Sequence, residues 1–452
     1  MVFGLFTRCP LDDPREKAWT ELRMQWLSEQ FGLDPLLRAE VLLPTPECFP
    51  EPYGGTAEDA ERIMRRLCGQ LQMGCSEIRL QLHNPAEASL TGGLTEEESG
   101  DTVIHVTEPQ LADAQQLVAT LAHELSHRRL LDEKRITGSE TDVEHISHLM
   151  PVYFGAGVFA ANSVIREQAV TTGRWHSWSI SRWGALPARI YGLAFALFAW
   201  LRRESAPRWA EHLRGDARTT MQQSLKYLRK TEDSLFRPDT AGNRADPPAF
   251  QDLVDDLTSG TPGRRIAALW RLAEIDVPAD AVVPLLVRVL RDRSPAILAT
   301  ALQSLAETGI PNEDAEHAVR LAMDHGHPEV RAMAVRAMPG VARLGEEAVQ
   351  EIAPKLHDAN VTVVAEAAAA LAQFGERASP VVHELAAPIK RALVRRQVDV
   401  AGACLAALCA IDPEPESLLR DHFHDPELLL EIDGILREIR DGRADPESEQ
   451  TG

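Results

Sequence analysis

The sequence predicts a chain of unlike parts: a mostly helical α+β domain over residues 1–236, a linker over 237–260, an all-α solenoid over 261–440 and a disordered tail over 441–452. Three observations carry this. From Gly263 onward the chain repeats itself at a step of 33 residues. The stretch 237–250 (RPDTAGNRADPPAF) is rich in Pro, Gly, Asn and Asp and has no hydrophobic period. Upstream, helical patterns are interrupted by two short strand-like runs, 78–82 (IRLQL) and 102–106 (TVIHV).

The repeats superimpose when Leu272, Leu305, Met338 and Leu371 are aligned. Each unit has an Ala- and Leu-rich amphipathic stretch, a break at Gly, Pro or Asn, and a second amphipathic stretch such as 281–292 (AVVPLLVRVLRD). Asp292, Asp324 and Asp358 close the second stretch in three units. These helix-turn-helix units resemble HEAT repeats of the short bacterial type. Their alanines have a physical cause: each unit buries its apolar face only against its neighbour, and close approach of stacked helices needs small residues. Residues 398–411 (VDVAGACLAALCAI) continue the pattern after a longer step of 37, and 425–440 read as a closing helix. The last residues, 443–452 (RADPESEQTG), have no apolar anchor.

Composition narrows the function classes. With 47 Lys and Arg against 68 Asp and Glu the net charge is −21, the wrong sign for neutralising phosphates, so general nucleic-acid binding is disfavoured. Six scattered cysteines without a C-x-x-C pair fit a reducing compartment better than a disulfide scaffold. The first residues lack a signal-peptide core, and the longest apolar run, 190–201 (IYGLAFALFAWL), is too short to span a bilayer. A cytoplasmic protein with no membrane span is expected.

Chemistry enters at the end of the second strand-like run. Thr107-Glu-Pro-Gln110 has the form of a capping box, so a helix should start near Glu108. On that helix Leu111, Leu117, Val118, Leu121 and Leu125 share one side, and His123 and His127 project on the other. The segment contains H-E-x-x-H. Two imidazoles one turn apart can chelate one Zn²⁺, and Glu124 can activate water. The bland alternative is a pair of solvent-facing histidines on a surface helix. Against it stand the well-capped helix after a strand, the small residues Ala112, Ala119 and Thr120 on the histidine side, and a further carboxylate at short range. That carboxylate is Glu144, on a helix that Ser139 and Asp142 should start, and it is the candidate third ligand. Glu140 and Asp142 compete with it but suit capping, and His145 reads as a partly exposed histidine.

This region resembles the gluzincin group of zinc metallopeptidases, whose H-E-x-x-H is followed on a second helix by E-x-x-x-D. It is also similar to a set of uncharacterised bacterial proteins with H-E-L-x-H, a D-x-E segment and a G-x-G-x-F-x-A-N stretch, matched here by Gly155, Gly157, Phe159 and Asn162. The resemblance implies Zn²⁺ held by His123, His127 and Glu144, with Glu124 as general base. Where that pattern has its Asp this chain has His148, either a residue that orients a ligand histidine or a ligand itself. Tyr153, His176 and Tyr191 are candidate oxyanion donors. Five tryptophans between 175 and 209 fit an aromatic wall, a membrane-surface contact or a packed helical subdomain.

The expected function is a zinc-dependent peptidase or related amide hydrolase whose repeats bind a protein or peptide substrate or regulator. The competing readings are a non-catalytic repeat scaffold with a structural or inactive metal site, and a metal-free helical adaptor.

Overall fold

The computed structural model describes residues 9–83, 94–96, 102–136, 142–168, 186–237, 248–272, 275 and 277–444. The described residues form two compact units, 9–237 and 248–444. Both are predominantly helical.

The first unit opens with α1 (Pro14–Phe31), started by Asp13, whose carboxylate accepts from the Arg15 N–H, and ended by Gly32 at φ 74°. A short α2 (Asp34–Arg38) follows, then α3 (Ala57–Gln70) with a capping box between Thr56 and Asp59. Strands β1 (Ile78–His83), β2 (Leu94–Glu96) and β3 (Thr102–Thr107) form one sheet in the order β1-β3-β2. β1 runs parallel to β3, with Leu80 opposite Ile104, and β2 runs antiparallel to it. Two of these strands match the predicted runs; the three-residue β2 carries no pattern that sequence alone could reveal.

The helix expected from Glu108 is two helices. Thr107 and Gln110 do form the capping box of α4 (Glu108–Ala112). Asp113 then accepts from the N–H groups of Gln115 and Gln116 and caps a new helix, α5 (Ala114–Asp132). α5 buries Leu117, Val118, Leu121 and Leu125, the predicted apolar side, and packs against α3, against α6 (Val143–Tyr153) and against α7 (Gly157–Gln168).

Between α6 and α7 the chain turns at Gly155 (φ +81°), where a Cβ would lie 2.5 Å from the Glu40 carbonyl. The Leu42 N–H donates to the Gly155 carbonyl at 2.9 Å, and Gln70 Nε2 donates to the carbonyls of Phe154 and Glu40. Asn162 donates to the His212 carbonyl and accepts from the Arg214 N–H. The G-x-G-x-F-x-A-N stretch is thus a packing device. Beyond it, the apolar α8 (Ala188–Leu201) lies against α9 (Gly215–Thr231), closely enough that a Cβ on Gly192 would meet Thr220 Cβ at 2.6 Å. Trp209 packs on Phe195 and Phe198 of α8, so this tryptophan is core. Trp175, Trp178, Trp183 and His176 lie outside the described residues. No described helix is long and apolar enough to cross a membrane.

The second unit begins earlier than expected. Residues 250–259, read as linker, form α10 (Phe250–Ser259), which buries Leu253 and Leu257 and packs on α11 (Pro262–Leu272). Helix pairs follow: α12 (Ala279–Val289), α13 (Pro295–Thr308), α14 (Glu313–Ala322), α15 (Pro328–Val341), α16 (Gly345–Ile352) and α17 (Val361–Phe374). The unit closes with α18 (Ala386–Val394), α19 (Val398–Ile411), α20 (Pro415–His422) and α21 (Pro426–Ala444). α11, α13, α15, α17 and α19 pack in that order, each on the next, which makes the unit a stack of helical repeats. The aligned positions Leu272, Leu305, Met338 and Leu371 are all buried, as are small interface residues such as Ala301, Ala334 and Ala367. The longer step before α19 holds an added 3₁₀ segment, Gly375–Leu385. The final helix runs to Ala444, past the expected end at 440; the rest of the tail lies outside the described residues.

Two of the aspartates that close the units link neighbouring helices. Asp358 accepts both Arg331 Nε and Nη2 (2.8 and 2.7 Å) from α15 and the Asn360 N–H at the start of α17. Asp292 repeats this with Arg265 and the Ser294 N–H. Burial alone would raise the Asp358 carboxyl, but the Arg331 guanidinium and the Asn360 N–H outweigh it and hold it below its ordinary 3.8. A carboxyl depressed on folding adds stability that is present above its unfolded value and lost as the pH falls through its folded value. Arg331→Ala should therefore cost about 1–3 kcal/mol at neutral pH by leaving the carboxylate unpaired. In Asp358→Asn the loss of stability on acidification below about pH 5 should be shallower than in the parent, measured by denaturant melts across that range.

Candidate metal centre

Three residues of the motif region converge across α5 and α6. His123 Nε2 lies 3.1 Å from Glu144 Oε2. The His148 ring stacks on His123, centroids 3.9 Å apart and planes 24° from parallel. One donor atom from each of His123, Glu144 and His148 lies within 4.8 Å of the others. His127, which the spacing puts beside His123 as a ligand, is not in that set; its ring centroid is 6.3 Å from that of His123. The sequence pattern favours His127 and the side-chain geometry favours His148.

The local fold explains why α6 presents these groups. Asp142 stands at the start of α6, yet its carboxylate makes no cap bond. It accepts instead from Trp19 Nε1 at 2.9 Å and Arg23 Nε at 2.7 Å, both on α1. Asp142 is buried and so is its neighbour His145, which meets Trp19 edge to face at 6.0 Å. The expectation of a partly exposed His145 is corrected: it faces α1, about 100° round the helix from Glu144. Glu140 and Ser139 lie outside the described residues.

Electrostatics follow from burial. Glu124 is buried, and desolvation raises its carboxyl above the ordinary range; His123 opposes the shift and Glu144 adds to it. Glu144 is lowered, first by its hydrogen bond from His123. Burial lowers His127, with Glu144 acting the other way. The Glu144 side chain is 57% exposed, so the centre opens to solvent on that side.

The oxyanion candidates fare differently. Tyr153 is buried and its hydroxyl donates to the Gly32 carbonyl at the end of α1, which removes it as a donor at the centre. Tyr191 is buried within α8. Sequence reasoning missed the part played by Trp19 and Arg23, a hundred or more residues before the motif, because nothing local to them refers to it.

Comparison with known proteins leaves the centre to its own geometry. No protein-family model matches the chain, and no curated protein matches it. Among solved structures, one engineered protein matches at 22% identity over 43% of this chain and 97% of its own, with a TM-score of 0.30. A second engineered protein matches at 15% identity over 93% of this chain and 98% of its own, again at 0.30. A chain from a structural study of microtubule plus-end tracking by XMAP215, CLIP-170 and EB1 matches at 19% identity over 43% of this chain and 94% of its own, also at 0.30. A TM-score of 0.30 is too low to carry fold or activity from any of them.

Asp142→Ala would leave a buried indole N–H and a guanidinium without their acceptor. It should cost about 1–3 kcal/mol in a denaturant melt. It should also lower the affinity for added Zn²⁺, titrated with a chromophoric competitor, although Asp142 is not one of the converging metal-type groups. Unchanged affinity would show that α6 holds its place without the clamp.

Proposed function

We propose that the first unit is a zinc-dependent peptidase or related amide hydrolase, with His123, His127 and Glu144 as the metal-holding residues. The contact between His123 Nε2 and Glu144 Oε2 carries this reading, since it joins the H-E-x-x-H helix to the next helix through two ligand-type groups. The donor chemistry fits: imidazoles and a carboxylate suit zinc, and His123 Nδ1 is buried without a hydrogen-bond partner among the described residues. A zinc ion held there would supply a Lewis acid for a water and for a substrate carbonyl. Glu124, buried beside His123 and raised in proton affinity, takes the water proton at its carboxylate and returns it to the leaving amine. The stack of helical repeats binds the protein or peptide partner. In the same reading the chain does not engage nucleic acid and acts in the cytoplasm, in keeping with its charge and free thiols.

The placement of His148 favours one second reading. If it ligates together with His123, His127 and Glu144, four protein donors close the site, and closed sites are structural. The second unit would then be the working part of a non-catalytic scaffold.

Elemental analysis of protein prepared without chelator should show about one zinc per chain. Glu124→Gln should keep that zinc and lower hydrolysis of a peptide library at least about a hundredfold. His127→Ala should lose the metal, whereas His148→Asp should keep both metal and activity. Absence of stoichiometric zinc would sink the metalloenzyme. Zinc lost in His148→Asp, with no hydrolysis by the parent, would select the closed structural site.

A further inference from the structure

The first unit holds a cleft whose described lining includes no residue of the metal centre. The segment Ser205–Glu211 and one face of α9 enclose this cleft of about 650 Å³. Its rim carries Arg208, Arg218, Lys226, Arg229 and Lys230, against a single carboxylate, Glu211, among the described residues. In a chain of net charge −21 such a local reversal of sign is not background. Arg208, Lys226, Arg229 and Lys230 are exposed and form no ion pair among the described residues.

Helix stability does not explain the cluster. Arg229 and Lys230 sit in the last turn of α9, where cations suit the helix dipole. Arg218 lies near the first turn, where a cation is disfavoured, and Arg208 is not on the helix at all. Arg218 Nη1 reaches only the Glu211 carbonyl, at 3.4 Å. Positive charge has been gathered here from two elements at some electrostatic cost, as a site for an anion requires.

The geometry points to an acidic peptide segment as the occupant. Met221 and Leu225 are buried beneath the rim and give the cleft an apolar floor, with Pro207 and Ala210 on its other wall. Such a floor accepts aliphatic side chains between carboxylates. Among the described residues no aromatic lines the cleft to stack a base, and the net charge of the chain repels a long polyanion. From Arg218 to Lys230 the helix advances about 18 Å, at roughly 1.5 Å per residue. That length matches five or six residues of extended peptide at about 3.3 Å each. The site is independent of zinc and of hydrolysis.

Fluorescence anisotropy on the full chain tests the assignment. The probe is a fluorescein-labelled octapeptide of acidic residues with two leucines; its Gln and Asn counterpart and an octathymidylate are controls. The acidic peptide should bind with an affinity that falls as salt rises, and the uncharged peptide should bind at least about tenfold more weakly. Lys226→Glu with Arg229→Glu should weaken acidic-peptide binding at least about tenfold, with circular dichroism unchanged. Lys226→Gln with Arg229→Gln should shift it the same way by less, which separates loss of the site from misfolding of the reversed variant. Equal binding of the acidic and uncharged peptides, or undiminished binding by both variants, would overturn the proposal. Tighter binding of octathymidylate than of the peptide would make the cleft a nucleic-acid site instead.

Discussion

Asp142 accepts from two side chains of α1, and that double hydrogen bond fixes how α6 is rotated about its own axis. Everything at the candidate centre follows from the rotation. With Asp142 and His145 turned toward α1, helical geometry leaves Glu144 and His148 on the side that meets α5. A carboxylate this buried is tolerable because an indole N–H and a guanidinium meet it. Those groups also give α1 a reason to begin where it does, at the Asp13 cap and Pro14, since a shift of register would move Trp19 and Arg23 off their acceptor.

The sequence made legible what is local. His123 and His127 are related by a single turn and Glu124 by a single step, so the motif and its helix could be read directly, as could the apolar side from Leu117 to Leu125. The meeting of His123 with Glu144 depends on how two helices pack, and spacing could only allow it. The choice between His127 and His148 depends on side-chain rotamers, which a pattern does not encode. Tyr153 was unreadable for the same reason: an aromatic hydroxyl near a motif can point anywhere, and here it is spent on the end of α1.

Other differences come from short-range chemistry that periodicity conceals. Asp113 sits within an apparently continuous helical pattern, yet its carboxylate can cap the residues after it, and that bond ends one helix and starts another. Conversely, Phe250, Leu253 and Leu257 carry a genuine helical period, masked by the Pro-, Gly- and Asp-rich residues just before them. The repeats were the easiest part, because 33-residue self-similarity multiplies a weak signal over several units. Where the step lengthens, the surplus is absorbed by a 3₁₀ segment, and the apolar register resumes in α19.

The stacked half has a dynamic consequence. Each of its first helices packs on the first helices before and after it and on the second helices of its own and adjacent units, so its free energy is a chain of nearest-neighbour terms with no central core to enforce all-or-none behaviour. Amide protons of α15 and α17, held from both sides and stitched by the Arg331–Asp358 pair, are expected to exchange among the slowest. Those of α21, which among the described residues packs mainly on α19 and leaves Leu430 in water, are expected to open sooner. An opening in such a stack costs only the contacts of the units it involves, and units several steps away stay closed while it lasts.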